Sequence, residues 1–203
     1  NPLVFTAYSF LASGAVFSIL ILISGRKFTF RVKEGVMLGV LLFFLEAPQM
    51  IGLSQTTAAN TAFITSLGIL LIPLLDRLLY KRQITASTWT ALATALVGIH
   101  LLTGGIHNFN QGDLWVVVAA LGCLFYMVFS DTFEKEQESN ILDLCAQQFL
   151  TVGALSFLVA IISNAPLGLQ TENGSWIPLI VLTALFTLIP YSLIQWAERY
   201  ATE

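Results

Sequence analysis

The sequence predicts an all-α polytopic membrane protein with an inverted internal repeat and about seven transmembrane helices. Hydrophobic residues make up 56% of the 203 positions and charged residues 10%, whereas about a quarter of a soluble domain is charged. Two apolar segments 139 positions apart also resemble each other. Five stretches without charge each exceed the roughly 20 residues that cross a bilayer. These stretches are Asn1–Gly25, Ala47–Leu75, Gln83–Gly112, Leu144–Thr171 and Asn173–Ala197.

Seven spans are predicted along the chain, separated by connectors with the expected composition. The connectors "SGRKFTFR" and "DRLLYKRQ" are basic, and "TGGIHNFNQGD" and "NAPLGLQTENGS" are rich in Gly, Pro, Asn and Gln. The four tryptophans lie near predicted span ends, where indole prefers the membrane interface. The predicted spans are Leu3–Ser24, Val32–Leu53, Thr57–Tyr80, Ser87–Leu102, Leu114–Phe133, Ile141–Ser163 and Trp176–Glu198.

The nine Lys and Arg residues all fall on one side of this seven-span path. Four follow the first span, three follow the third, and one each follows the fifth and the seventh. Because cytoplasmic loops carry the excess of cations, that side is predicted to be cytoplasmic. An added or missing internal span would divide the cations between the two sides, so their distribution also supports the span count.

The first and sixth spans align without gaps. "NPLVFTAYSFLASGAVFSILILIS" and "NILDLCAQQFLTVGALSFLVAIIS" share nine identities over 24 positions, including Gly14 with Gly153 and Phe10 with Phe149. Five membrane crossings separate their starts, so the second copy enters from the opposite side. The pair is therefore predicted to be an inverted-topology repeat, an architecture that recurs in secondary transporters and places the substrate site between the halves.

The second and seventh spans pair less closely, and two alignments are open. A shift of 142 aligns Pro48 with Pro190 and puts Gln49 opposite Tyr191. A shift of 145 puts Glu46 opposite Tyr191 instead.

The region from Gly52 to Gly105 resembles the third-to-fifth helices of EamA-type members of the drug/metabolite transporter superfamily. The resemblance rests on the entry "GLSQTTAANTAFI", the proline of "LLIPLLDRLL", the basic turn "YKRQIT" and the helix end "GIHLLTGG". The segment "GDLWVVVAALGCLFYMVFSD", Gly112 to Asp131, is similar to the opening helix of the family's second repeat.

The resemblance implies ten helices in two inverted five-helix repeats. On that pattern, residues 1–110 form a first repeat without its first helix, and residues 111–203 form a truncated second repeat. The chain is therefore expected to be incomplete. The resemblance further implies a multi-pass transporter of a bacterial-type cytoplasmic membrane. Its substrates would be small metabolites such as amino acids, nucleobases, sugars or drugs, often exported.

Glu46 is the leading candidate for a functional residue. It is predicted to lie near the middle of the second span, where a carboxylate costs about 2.5 kcal/mol or more and normally faces the bundle interior. Gln49 lies one turn further on the same face, and Pro48 offers no N–H to the carbonyl of Phe44. These groups would line a polar cavity and suit proton coupling or an amine-bearing substrate. Alternatively, a protonated Glu46 only hydrogen-bonds a neighbouring helix.

Weaker candidates for the cavity lining are polar residues of the other spans. Tyr8 and Gln147 occupy equivalent positions of the repeat, and Asn60 either faces the cavity or caps the third span. The predicted lining residues besides Glu46 and Gln49 are Tyr8, Asn60, Tyr126, Gln147, Gln148, Tyr191 and Gln195.

The sequence argues against several other classes of function. It contains no HExxH, GxSxG, CxxC or phosphate-binding glycine loop, so neither an enzyme, a metal site nor a cofactor is predicted. It has no basic patch interleaved with aromatics, which argues against nucleic-acid binding. The expected partners are a small-molecule substrate, the lipid bilayer and protons if Glu46 titrates. The alternative is a membrane scaffold that does not transport and uses small-residue faces for helix association.

Overall fold

The structure is a computed structural model, and its described part is almost entirely helical. It describes residues 1–23, 32–81, 83–106, 108–135, 141–168, 170, 171, 174 and 175, and ten residues between 177 and 193. The only described strands form a two-stranded antiparallel ribbon. The elements are α1 (Pro2–Ile23), α2 (Val32–Leu53), α3 (Ala58–Leu70), α4 (Ile72–Tyr80), α5 (Ala86–Thr103), α6 (Gln111–Lys135), α7 (Ile141–Ile162), β1 (Gln170–Thr171) and β2 (Gly174–Ser175).

Six of the seven predicted spans are confirmed as helices of membrane-spanning length and composition. These segments are Pro2–Ile23, Lys33–Leu53, Ala58–Leu79, Ala86–Thr103, Gln111–Ser130 and Leu142–Ile162. The seventh predicted span, Trp176–Glu198, lies mostly outside the described residues, and those that are described within it are helical.

Large apolar side chains on these helices face outward. In α5, Leu101 is 77% exposed and Leu102 is 88% exposed, and no described residue of this helix is buried. Such a surface suits hydrocarbon and would be costly in water. The fold is therefore an all-α, multi-pass membrane fold, as the sequence predicts.

The third predicted span is two helices in series. Leu71 separates α3 from α4, and its N–H donates to the carbonyls of Leu67 (3.2 Å) and Gly68 (3.1 Å). Pro73 then occupies the start of α4, where its missing N–H is tolerated. Inside a continuous helix the same residue would break the hydrogen-bond ladder, so the proline accounts for the break.

Contacts among the described residues divide the chain into two compact units, residues 1–43 with 130–203 and residues 44–129. In the first unit α1 packs along α7. The rings of Tyr8 and Phe157 meet edge-on at 6.2 Å between centroids, and those of Phe17 and Phe149 meet at 5.5 Å. The partner on α7 moves backward as the chain advances along α1, so the two helices are antiparallel.

The contacts between α1 and α7 are reciprocal. A Cβ built on Gly14 would lie 2.8 Å from Leu150 Cγ, and a Cβ built on Gly153 would lie 2.7 Å from Leu11 Cγ. Gly14 and Gly153 are equivalent positions of the repeat, and so are Leu11 and Leu150. Reciprocity of this kind is the signature of a two-fold relation between two surfaces.

Burial follows the same relation. Nine of the ten buried positions of α1 map onto buried positions of α7 at the shift of 139. The rings of Phe10 and Phe149, another equivalent pair, lie against each other at 5.4 Å between centroids and 82° between planes. The inverted repeat therefore uses the same helix face in both copies, which confirms the architecture predicted from the sequence.

We expect Gly14→Ala and Gly153→Ala each to destabilise the protein by about 1–3 kcal/mol, since overpacking a close contact costs that much. Each loss should be partly rescued by shortening the leucine on the opposite helix, Leu150→Ala for Gly14→Ala and Leu11→Ala for Gly153→Ala. Thermal unfolding in detergent measures both effects.

The control for this crossed design exchanges the partners. Gly14→Ala combined with Leu11→Ala leaves the clash in place, so no rescue is expected. Equal rescue by either leucine would contradict the reciprocal contact.

The N-terminal half of α2 also packs on α7. Gly35 lies against the side chain of Gln147, and a Cβ on Gly39 would lie 2.9 Å from the carbonyl oxygen of Gln148. Gly39 follows Gly35 along α2, and its contact on α7 likewise follows that of Gly35. The two helices therefore run parallel. The GxxxG spacing lets them approach closely.

The second unit is built around α6. A Cβ on Gly52 would lie 2.6 Å from Val116 Cγ2, and a Cβ on Gly122 would lie 2.6 Å from the carbonyl oxygen of Phe44. The C-terminal half of α2 therefore runs antiparallel to α6. Ile64 of α3 joins Val116 and Ala120 of α6 in a buried apolar cluster, and α5 packs against α3 on the outside.

Candidate functional site

Glu46 lies where α2 crosses α6, between two close contacts, that of Phe44 with Gly122 and that of Gly52 with Val116. Its side chain is half-buried, and Pro48 two residues later is buried inside the helix. Because Pro48 has no N–H for the Phe44 carbonyl, that carbonyl faces out of α2 and lies against Gly122. Only a glycine fits there, since any Cβ would lie within 2.8 Å of three backbone atoms of Phe44 and Leu45.

This crossing brings Glu46 within electrostatic range of Cys123 on α6. Cys123 is 4% exposed, so the carboxylate has an apolar neighbour on that side. A carboxylate next to buried apolar groups in a membrane span is poorly solvated.

Gln49 and Tyr126, two other predicted lining residues, lie on opposite sides of the crossing. Gln49 is half-buried and lies toward the C-terminal end of α2. Tyr126 is 5% exposed and lies one turn beyond Gly122 on α6. Because α2 and α6 are antiparallel, these two side chains diverge along the helix axes.

In the first unit the repeat-related pair Tyr8 and Gln147 contacts different neighbours. The hydroxyl of Tyr8 donates to the carbonyl oxygen of Leu167 at 3.3 Å. The Oε1 atom of Gln147 is buried and, within the described part of the chain, accepts no hydrogen bond. Gln148 is fully buried beside Gly39. The predicted lining residues Tyr191 and Gln195 lie outside the described residues.

Asn60 belongs to a hydrogen-bonded cluster around Asp113. Its Nδ2 donates to Asp113 Oδ1 at 3.2 Å and to Oδ2 at 3.3 Å, and Thr56 Oγ1 donates to Asp113 Oδ1 at 2.6 Å. Asn60 is 1% exposed and Asp113 is fully buried. We call Asp113, Thr56, Asn60 and Asn110 the Asp113 cluster.

Local structure explains why the cluster forms. Asn110 precedes α6, and its Oδ1 accepts from the N–H groups of Gly112 (2.7 Å) and Asp113 (3.2 Å). Asp113 Oδ2 accepts in return from the Asn110 N–H at 2.7 Å. This is a reciprocal capping box. Thr57 caps α3 in the same region by accepting from the Asn60 N–H at 3.1 Å.

Sequence reasoning did not single out Asp113 or Asp143, two acids that the structure buries at 0% and 3% exposure. A signal was present for the first of them. The segment "NQGD" has an asparagine three residues before an acid at the start of an apolar run, which is the pattern of a capping box. That pattern predicts the local hydrogen bonds but not the donors that α3 contributes.

Metal chemistry has no support among the described residues. They include no group of three or more His, Cys, Asp or Glu side chains that could hold an ion. Cys123 and Cys145 are buried free thiols. What the described polar residues offer is hydrogen bonding within an apolar protein.

Comparison with known proteins identifies the family of this chain. The sequence model of the EamA-like transporter family matches residues 1–104, half of the chain. The chain belongs to the EamA-like transporter family. A curated relative of this EamA-like chain, described as an uncharacterized transporter from Archaeoglobus fulgidus, is 28% identical over 169 residues. That match covers 83% of this chain and 53% of the relative, so the chain spans about half the relative's length.

A solved structure shares the fold of the EamA-like chain. This crystal structure of a protein superposes with a TM-score of 0.70 at 22% identity, over 93% of this chain and 64% of its own. The family match and the six apolar helices together show that this chain is part of an integral, multi-pass membrane protein of a transporter family.

Proposed function

We propose that the EamA-like protein containing this chain is a secondary transporter that exports a small metabolite across a cytoplasmic membrane by alternating access. The observation that carries the proposal is the reciprocal packing of α1 and α7, in which Gly14 meets Leu150 and Gly153 meets Leu11. Two similar segments of opposite orientation can exchange environments, so that a site between the halves opens first to one side and then to the other.

The proposed repeats are residues 1–110 and 111–203, with a substrate cavity between them. The polar groups named in the sequence analysis would line that cavity, and the amide oxygen of Gln147 supports this role. It is a buried acceptor with no donor among the described residues, and a buried acceptor without a partner costs roughly 1–3 kcal/mol. A substrate N–H or hydroxyl would supply the donor.

Glu46 is the proposed coupling residue. It is half-buried next to the α2–α6 crossing, and intramembrane carboxylates of transporters commonly carry protons or pair with cationic substrates. Protons and amine-bearing metabolites are therefore the proposed partners. A carboxylate that alternates between a proton and a substrate amine links the two fluxes without ATP.

Glu46→Gln is expected to reduce proton-driven flux at least about ten-fold, because one charge-assisted interaction contributes roughly 1.5–3 kcal/mol and 1.4 kcal/mol is ten-fold. The measurement uses the full-length protein in proteoliposomes with and without a pH gradient, screening amino acids, nucleobases and amine drugs. Glu34→Gln, which neutralises an acid in the first turn of the same helix, is the matched control and should retain flux.

Each outcome bears on a different part of the proposal. Flux and pH dependence unchanged in Glu46→Gln would remove Glu46 from coupling. A well-folded, reconstituted protein that moves none of these compounds would favour the scaffold alternative over transport.

A further inference from the structure

A polar cavity opens between the end of α4 and the start of α5. Its volume is about 410 Å³, and its described lining consists of Arg77, Lys81, Gln83 and Ile84. The volume lies within the range of about 300–1,000 Å³ that small-molecule sites occupy. We call this cavity the α4–α5 pocket. It lies within the second unit and shares no residue with the proposed transport site.

The pocket is built to hold an anion. Arg77 lies in the last turn of α4 and Lys81 is the residue that caps its C-terminus, so both cations lie at the same end of the helix. Neither makes an ion pair or a hydrogen bond with the residues that the structure describes, and Gln83 adds an exposed amide donor. Between residues 71 and 112 the chain carries three cations and one acid, Asp76.

The start of α5 adds to the positive potential. This helix has 18 residues, and the N-terminal end of a helix carries a partial positive charge and free N–H groups. Thr85 caps it by accepting from the Thr88 N–H at 3.2 Å. Ile84 of the pocket lining directly precedes this cap, so the two side-chain cations lie next to a helix N-terminus, an arrangement that suits a phosphate group.

The surroundings favour a lipid as the source of that phosphate. Leu78, which follows Arg77 on α4, is 76% exposed, and Trp89 in the first turn of α5 is 49% exposed. Exposed leucine suits acyl chains, and tryptophan prefers the membrane interface. The pocket also lies on the cation-rich side predicted to be cytoplasmic, where basic pockets between membrane helices bind anionic head groups.

We propose that the α4–α5 pocket binds the phosphate head group of an anionic phospholipid. Arg77 and Lys81 contact the phosphate oxygens, Gln83 donates to the glycerol or ester oxygens, and the acyl chains lie along the exposed leucines of α4. The bound phospholipid holds the turn between α4 and α5 at the membrane surface.

The test is native mass spectrometry of the full-length protein in neutral detergent, titrated with phosphatidylglycerol or phosphatidylcholine. A cation near an anionic head group contributes about five-fold in affinity, hence roughly 30-fold for two. We expect wild-type protein to prefer phosphatidylglycerol, and Arg77→Gln with Lys81→Gln to lose that preference about 30-fold. The control is Lys33→Gln with Lys135→Gln, which removes the same amount of charge elsewhere on the predicted cytoplasmic side. This variant should keep the preference for phosphatidylglycerol.

A second variant and a second anion complete the test. Gln83→Glu keeps both cations but places a carboxylate in the pocket, so it too should weaken phosphatidylglycerol binding. Inorganic phosphate at equal concentration should not displace the lipid. An equal loss of phosphatidylglycerol preference in the control pair overturns the assignment. Full displacement of the lipid by inorganic phosphate also overturns it, because the ligand would then be a soluble phosphate.

Discussion

Gly122→Ala is expected to destabilise the protein by about 3 kcal/mol. The new Cβ would lie 2.6 Å from both the carbonyl carbon and oxygen of Phe44 and 2.8 Å from the Leu45 nitrogen. All three atoms belong to the backbone, so no side chain can rotate away and α2 must move from α6. Overpacking of this kind costs about 1–3 kcal/mol, occasionally more.

The matched control is Gly98→Ala. Gly98 is also a helical glycine in a predicted span, but a Cβ there meets nothing within 4 Å. The change should be neutral or stabilising by up to about 1 kcal/mol, since alanine is the better helix former. Thermal unfolding in detergent and elution as a single species on size-exclusion chromatography compare the two variants.

A second-site change tests the cause of the clash. Pro48→Ala restores an N–H that can bond the Phe44 carbonyl within α2 and draw it away from α6. We therefore expect Pro48→Ala to recover part of the loss in Gly122→Ala. If Gly122→Ala is as mild as Gly98→Ala, the close contact between α2 and α6 does not exist in the protein.

Asp113→Ala is expected to destabilise the protein by about 2–4 kcal/mol. The carboxylate accepts from Thr56 Oγ1, Asn60 Nδ2 and the Asn110 N–H, and its removal leaves these three donors without an acceptor at the start of α6. Hydrogen bonds to a charged group contribute roughly 1.5–3 kcal/mol each, and stranded donors lose their partner without regaining water. The helix also loses a negative charge in its first turn.

Two further variants separate the contributions. Gln111→Ala, at the exposed first residue of α6, keeps the cluster intact and should cost little. Asp113→Asn keeps the shape of the side chain but replaces one acceptor oxygen by an NH₂ group, which faces the cluster's own donors. It should therefore destabilise the protein nearly as much as Asp113→Ala. Denaturant or thermal unfolding provides the measurement.

A double-mutant cycle of Asp113→Ala with Thr56→Val isolates the contact between α6 and α3. Residues in one hydrogen-bond network couple by about 0.5–3 kcal/mol, whereas independent sites add. Strict additivity in this cycle would show that the 2.6 Å contact contributes nothing to stability.

The Asp113 cluster changes the interpretation of Asn60. From the sequence, this residue was either a cap or part of the cavity lining. The structure has its amide donating to Asp113 while its backbone N–H donates to Thr57, so two of its groups serve local structure. Its proposed contact with substrate is therefore the least supported of those made by residues of the second unit.

The sequence by itself determined the class of fold and its symmetry. Helices that face lipid are recognisable because every uncharged stretch must be long enough to cross the hydrocarbon core. The repeat was visible because both copies use the same face, so their glycines and phenylalanines kept the same spacing. The sequence alone therefore pairs Gly14 with Gly153. In the structure these two glycines make reciprocal contacts with Leu150 and Leu11.

Tertiary structure alone decided which polar groups meet. Hydrophobic patterning is uninformative when a helix is apolar on all sides, so no periodicity showed that Gly122 faces the Phe44 carbonyl or that α3 donates to Asp113. The capping box at Asn110 was readable as a local motif, because its partners are three residues apart. The donors from Thr56 and Asn60 come from more than fifty residues away, and only the packing of α3 against α6 brings them to the carboxylate.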